Sequence, residues 1–432
     1  MRLAIALSAL SLASFGALSL STRGPQYERA FALKPKEGVF AYARISPDGK
    51  RLAYASQMSA RPSAQRSWAV TAVDLTTKKT LFSENGIDAY WSNDGTRVIY
   101  SGNGGVVIRN VATSASNAYP EAAQLGDYFS WSVRDGKDMV MTIASNYYYV
   151  TKDGPVLPHT HVTTCEGMGT GERPLISHDG KRISTFVKGI LVVRALDNCD
   201  GIINTHIQGS KADFSWDNRY IAFHAVKPAG TGYEIRIVDL EKKTVRTLPN
   251  LEGSSLFPSW TKDGRLCFRY DGSDYRGFLI ASNVLDTPEA PLPSVSEALN
   301  DNRQWEDIFP ETASAKGIRV VMIWAPWSAH SLDAFTNLEQ ARTDLALRGV
   351  TLDVVAAADP GSRESDITSQ LNDFHVTVPR IPITSRHLTM TEARNQMPTT
   401  MLFKDGTLIE SKLGAQSAET LREWVTNAAM KK

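Results

Sequence analysis

One short pattern recurs through the first two thirds of the chain and constrains the fold more than any other feature. Residues 43–56 read ARISPDGKRLAYAS and residues 89–102 read AYWSNDGTRVIYSG. Further on stand FSWSVRDGKDMVMT, PLISHDGKRISTFV, ADFSWDNRYIAFHA and PSWTKDGRLCFRYDG. The turn aspartates are Asp48, Asp94, Asp135, Asp179, Asp217 and Asp263, separated by 46, 41, 44, 38 and 46 residues. Six units of this length predict the four-stranded blades of a β-propeller. The turn chemistry agrees. Asp bonds its own backbone and Gly takes positive φ at little steric cost. Asn218 stands in the glycine place of the fifth unit and is the next most tolerant residue. An apolar alternation follows each turn, as in Leu52-Ala53-Tyr54 and Ile221-Ala222-Phe223, and a further strand pattern recurs over 70–75 and 235–240. The six aspartates are read as structural turn residues.

Charge and targeting narrow the function classes. Among 432 residues, 47 Lys and Arg face 46 Asp and Glu, a formal net charge of +1. A generally basic nucleic-acid binder is therefore not expected. Three cysteines are too few for a disulfide-built scaffold. At the N terminus, Arg2 precedes an uncharged run over 3–22, rich in Leu and Ala, and Arg23 is the next charge. This is the pattern of a secretory signal peptide over 1–22, with the small residues Ala17 and Ser19 at cleavage positions. The same run is about long enough to serve as an uncleaved anchor, and no other stretch approaches membrane length. The chain is expected to be exported, to the periplasm if the cell is Gram-negative, with no membrane span after cleavage.

The period changes near residue 288. Residues 289–312 read as a Pro-rich, polar linker, and 313–432 alternate strand and helix. An apolar strand runs over 318–324. Leu332, Phe335, Leu338, Ala341 and Leu345 fall at helical spacing, and Gly349 stops that helix. A buried strand over 350–358 follows, then a second helix marked by Ile367, Leu371 and Phe374. Residues 399–403 and 407–412 pair across Lys404-Asp405-Gly406. Ser417 caps a last helix whose inner face is Leu421, Trp424, Val425 and Ala428. The order βαβαββα is that of a thioredoxin fold.

Two resemblances follow from these residues. The repeats, over 38–288, resemble the β-propeller of TolB and related periplasmic proteins. Residues 315–430 resemble the TlpA/ResA-type thioredoxins. Trp324-Ala325-Pro326-Trp327-Ser328-Ala329-His330-Ser331 is similar to their W-A-x-W-C-x-x-C segment, and Met397-Pro398-Thr399-Thr400 to their P-T-T segment, whose proline is cis. The expected fold class is multidomain: an all-β six-bladed propeller followed by an α/β thioredoxin-like domain. The departure matters more than the match, because Ser328 and Ser331 hold both cysteine positions. A serine hydroxyl ionises far above physiological pH and cannot form a disulfide, so dithiol oxidoreductase chemistry is excluded there. A Ser328–His330 nucleophile pair is disfavoured, since neighbouring helix positions of this kind do not face each other. In the family, this segment and the cis-proline loop cradle an extended peptide by backbone pairing. Trp324, Trp327, Ser328, His330, Ser331, Met397 and Pro398 are accordingly read as a degenerate site and candidate peptide groove.

The remaining motifs are weaker. His159, His161, Cys165 and Glu166 are metal-ligating types, but their spacing matches no zinc pattern. Cys165 and Cys199 are candidates for one disulfide in an exported chain. Cys267, inside Leu266-Cys267-Phe268, reads as a buried thiol. The chain has no G-x-S-x-G elbow, phosphate-binding loop or H-E-x-x-H helix. No catalytic, metal or cofactor-binding residue is assigned, and no cofactor is expected. The expected role is a non-catalytic interaction platform of the cell envelope. Its propeller would bind a protein or envelope partner, with the second domain as an accessory peptide-binding or structural module. Two alternatives stand beside it: a non-reactive client-recognition partner in thiol–disulfide or cytochrome biogenesis, and an enzyme using the propeller channel. The oligomeric state stays open.

Overall fold

The computed structural model describes residues 24–32, 40–57, 68–102, 105–119, 129–142, 146–151, 154–155, 160–161, 172–187, 189–227, 232–249, 251–294, 309, 312, 315–326, 328–359, 362, 364–373, 376–383 and 397–430. Residues 1–22, read above as a signal peptide, and His159, Cys165, Glu166, Trp327 and Phe374 lie outside the described residues. Among those described, no helix is long and apolar enough to cross a membrane.

Each Asp-Gly turn, or Asp217-Asn218 in the fifth unit, joins the first two strands of an antiparallel sheet, and six such sheets follow one another. The first holds Phe40–Ile45, Arg51–Gln57, Trp68–Asp74 and the opening half of Thr80–Trp91. The closing half of that long strand begins the second sheet, with Arg97–Gly102, Gly105–Asn110 and Ser116–Tyr119. The third holds Phe129–Arg134, Lys137–Thr142, Asn146–Thr151 and the short Gly154–Pro155. Glu172–Ile176, Arg182–Val187, Ile190–Ala195 and the opening half of Gly201–Phe214 form the fourth. The rest of Gly201–Phe214 begins the fifth, with Tyr220–Val226, Tyr233–Asp239 and Thr244–Thr247. The sixth holds Ser254–Trp260, Leu266–Asp271 and Arg276–Ser282. The first strands of the six sheets pack side by side in a closed ring. This mostly β layout is that of a propeller.

Two glycines let one strand serve two sheets. A Cβ at Gly86 would sit 2.6 Å from Tyr100 Cδ2, and one at Gly209 would sit 2.6 Å from the His224 carbonyl oxygen. The backbones therefore approach where each long strand passes from the outside of one sheet to the inside of the next.

The sheets reach beyond the repeat region at both ends. Gln26–Ala32 adds an outer strand to the sixth sheet, pairing Gln26 with Ser282 and Ala32 with Gly277. Ala290–Pro291 extends the fifth sheet through Thr244 and Val245. The N-terminal strand thus closes the ring by joining the last sheet. Neither strand carries an Asp-Gly turn, so the repeat gives no sign of them.

After residue 315 the sheet order is Asp353–Ala358, Ile318–Trp324, Thr399–Lys404, Thr407–Leu413. The first pair is parallel and the other two are antiparallel. Among the described residues, three helices flank these strands: α1 (Ala329–Ala346), α2 (Glu364–Asp373) and α3 (Ala418–Met430). Gly349 takes φ 75° after α1, and Val350 N–H bonds the Leu345 carbonyl at 3.0 Å. That closure uses Val350, so the following strand starts at Asp353 rather than at 350. Ser417 Oγ accepts the Thr420 N–H at 3.1 Å and caps α3, which buries Leu421, Trp424, Val425 and Ala428.

This C-terminal unit shares an apolar cluster with the propeller. Tyr42, Trp68, Tyr233, Leu256 and Phe257 pack in one cluster with the core around Trp324 and Phe335. Tyr233 Oη donates to Asp359 Oδ1 at 2.7 Å in a buried setting. Arg276 Nη1 lies 3.0 Å from Asp366 Oδ1, at the start of α2.

Candidate functional site

The turn aspartates form clasps. In the first sheet Ser46 Oγ donates to Asp48 Oδ1 at 2.5 Å and accepts the Arg51 N–H at 2.9 Å. Asp48 Oδ1 also accepts the Lys50 N–H at 3.0 Å. Ser92 with Asp94, Ser177 with Asp179, Ser215 with Asp217 and Thr261 with Asp263 repeat the arrangement. Burial pushes the Asp48 and Asp94 carboxyls up, but these hydrogen bonds outweigh it and hold both below the usual carboxylate range. Asp135 departs from the pattern. Its unit places Val133 where the others have Ser or Thr, so no hydroxyl is available. Asp135 and Gly136 instead form a two-residue hairpin turn at φ 52° and 71°, and the Asp135 side chain is 84% exposed.

The innermost strands of the ring converge on its axis, where side chains from different sheets meet. Two residues before four of the clasp hydroxyls stand Arg44, Tyr90, Asp213 and Ser259. Asp213 Oδ1 accepts Tyr90 Oη at 3.0 Å and lies 3.2 Å from Arg44 Nη1, while its Oδ2 accepts the Trp260 N–H at 2.8 Å. These groups come from the first, second, fifth and sixth sheets, so the network spans the channel. Burial foremost, then Asp213, pushes the Tyr90 phenol well above its ordinary range. Near the turns, His178 stacks on Trp216 with ring centroids 3.8 Å apart, and Lys262 lies over Trp216 at 4.7 Å. His178 Nε2 is 3.1 Å from the Phe214 carbonyl oxygen, to which it donates. Burial holds the His178 imidazole below its ordinary pKa.

Toward the other end, Tyr42, Asp88, Lys211 and Phe257 stand four residues before the clasp hydroxyls. Each has positive φ, between 54° and 56°, at a break in strand register. A bulge of this kind re-aims a side chain. With Phe129, Pro174 and Phe186 among others, these residues line a cavity of about 40 Å³, room for a few waters. No repeat pattern marks the channel residues, since their types differ from sheet to sheet. The available signal was their fixed offset from the Ser-x-Asp-Gly motif. Among the described residues, no three His, Cys, Asp or Glu side chains are placed to hold a metal ion.

The described residues of the candidate groove come together, most of them inside the molecule. Trp324 is fully buried and meets Phe335 edge-on at 4.9 Å. Ser328 is the N-cap residue of α1, yet its hydroxyl donates to the Met397 carbonyl at 3.1 Å rather than capping the helix. Ser331 Oγ accepts the Ala325 N–H at 3.1 Å. Ser328 is 1% exposed, Ser331 0% and Met397 6%, and Pro398, after a cis peptide bond, is buried as well. His330 is half-buried. Of the described residues in this set, His330 alone is not buried. The hydroxyls are smaller than thiols, and both bond backbone groups.

The cysteines divide. Cys199 is disulfide-bonded, and Cys267 is a free, buried thiol whose pKa burial pushes up to about 12.

No protein-family model and no curated protein matches this chain. Among solved structures, it is similar to hydrazine synthase of Kuenenia stuttgartiensis at 15% identity and a TM-score of 0.34, covering 57% of this chain and 77% of that one. It is similar to TolB of Acinetobacter baumannii at 16% identity and a TM-score of 0.34, covering 57% of this chain and 64% of that one. Its similarity to StoA of Bacillus subtilis is 19% identity at a TM-score of 0.22, over 26% of this chain and 84% of the other.

Proposed function

We propose that the chain is a non-catalytic interaction platform of the cell envelope: a six-bladed, TolB-like propeller fused to a thioredoxin-like unit that has lost its redox chemistry. One observation carries the reading. Both positions where a dithiol would sit hold serines, and both hydroxyls are buried and bonded to backbone groups within the unit. The same burial favours a structural over a peptide-binding role for that unit. It also weakens the client-recognition alternative, which draws on the same segment. Asp213, the acid that spans the channel, is satisfied by Arg44, Tyr90 and the Trp260 amide, which supports a structural over a catalytic channel. Export over the signal segment 1–22 is part of the proposal, and the bonded Cys199 supports an oxidising compartment.

Two measurements test this. The purified protein is expected to leave the rate of insulin reduction by dithiothreitol unchanged, and clear acceleration would end the redox-dead reading. Crosslinking in cells followed by mass spectrometry is expected to return a reproducible set of envelope proteins. Abundant bystanders alone would overturn the platform.

A further inference from the structure

The propeller residues at the end of the channel away from the Asp-Gly turns pack against the chain's own C-terminal unit. Tyr42 and Phe257 lie four residues, about 13 Å, along their strands from the clasp hydroxyls. They line the channel cavity and also pack into the cluster that holds Trp324 and Phe335. Trp68 and Tyr233, at the ends of neighbouring strands, join them there. The covered surface is aromatic and apolar, the kind that proteins use to bind other proteins.

The propeller ring is closed by its own N-terminal strand, and its other apolar clusters draw on no residue beyond Leu292. The C-terminal sheet and helices supply most of the shared cluster, from Val320 to Ala428. Interfaces between bodies of one chain resemble transient protein contacts, and relative movement is the default unless the interface is large and apolar; this one takes six buried side chains from the propeller, Tyr42, Ala55, Trp68, Tyr233, Leu256 and Phe257. The polar contacts between the two are specific. Asp359 accepts the Tyr233 hydroxyl, and Asp366 pairs with Arg276, which also lies 3.4 Å from Asp271 of the sixth sheet. Both acids follow the strand Asp353–Ala358, so one edge of the unit carries both clasps.

We propose that the C-terminal unit is a releasable lid on the channel mouth, clasped by Asp359 to Tyr233 and by Asp366 to Arg276. This rests on the platform reading, because it decides when the mouth face is open to a partner. Hydroxyl-radical footprinting of the full chain tests it, read by mass spectrometry at Tyr42, Trp68 and Phe257. Trp131, buried within the propeller, reports on folding. In the unaltered protein all four side chains are expected to be protected. In the double variant Tyr233→Phe, Asp366→Asn, oxidation of Tyr42, Trp68 and Phe257 is expected to rise several-fold while Trp131 stays protected. Three mouth residues as protected in the variant as before, or oxidised freely in the unaltered protein, would overturn the lid. Should Trp131 also become reactive, the single variant Asp366→Asn, at the outer clasp, decides by the same criterion. Footprinting reads the lid whatever crosslinking returns, so the two proposals fail separately.

Discussion

His178 shows how one buried side chain ties folding stability to pH. Its ring lies flat on Trp216, its Nε2 donates to the Phe214 carbonyl, and burial holds its pKa down. Asp213 and Asp179 pull that value up and Lys262 pulls it down, but desolvation is the largest influence. The unfolded chain therefore takes up a proton first, below about pH 6.5. The contribution of His178 to stability is fully present above that pH and is lost as pH falls toward the lower folded value. Urea unfolding at pH 7.5 and 5.5 is expected to show a larger loss of stability in the unaltered protein than in His178→Gln. Equal losses would remove His178 as the cause. Nothing in the repeat flags this residue, since the variable place of Ser-x-Asp-Gly is filled differently in each unit.

The element scale is where the sequence was most legible. The hydroxyl, the aspartate and the residue at positive φ are five residues or fewer apart, so their hydrogen bonds depend little on the rest of the fold. The third unit departs for an equally local reason, the Val133 that replaces the hydroxyl. Ser92→Ala removes the Oγ that bonds Asp94 and the Arg97 N–H, and is expected to cost about 1 kcal/mol in chemical denaturation. Asp135→Asn, at an exposed turn where Asn tolerates positive φ, is expected to stay within about 0.5 kcal/mol of the unaltered protein. A comparable cost at both would mean that Asp135 is clasped after all. The C-terminal helices were legible for the same reason: apolar spacing, a stopping glycine and a capping serine all act within a turn or two.

At the scale of the whole molecule, the cysteines are the simplest check. Cys199 is disulfide-bonded and Cys267 is a free thiol shielded inside the sixth sheet; the sequence offers Cys165 as the partner of Cys199. Thiol titration is expected to find none in the native protein, one after unfolding without reductant and three after unfolding with it. Two or more thiols before reduction would break the assignment. Ring closure belongs to this scale as well. The strand Gln26–Ala32 pairs with Arg276–Ser282 across almost the whole propeller, and such a pairing leaves no periodic trace near either partner.

The sequence by itself determined the repeat, its turn chemistry, the strands and helices of the last third, and the absence of thiols from Ser328 and Ser331. Each rests on contacts between near neighbours in the chain or on the chemistry of single side chains. Tertiary structure alone decided four things: the closing N-terminal strand, the Arg44–Tyr90–Asp213 network, the burial of the Ser328–Met397 segment, and the docking of Asp359 and Asp366 on the propeller. These depend on groups from distant parts of the chain meeting in one place. Only the closed ring and the packed C-terminal unit bring them there.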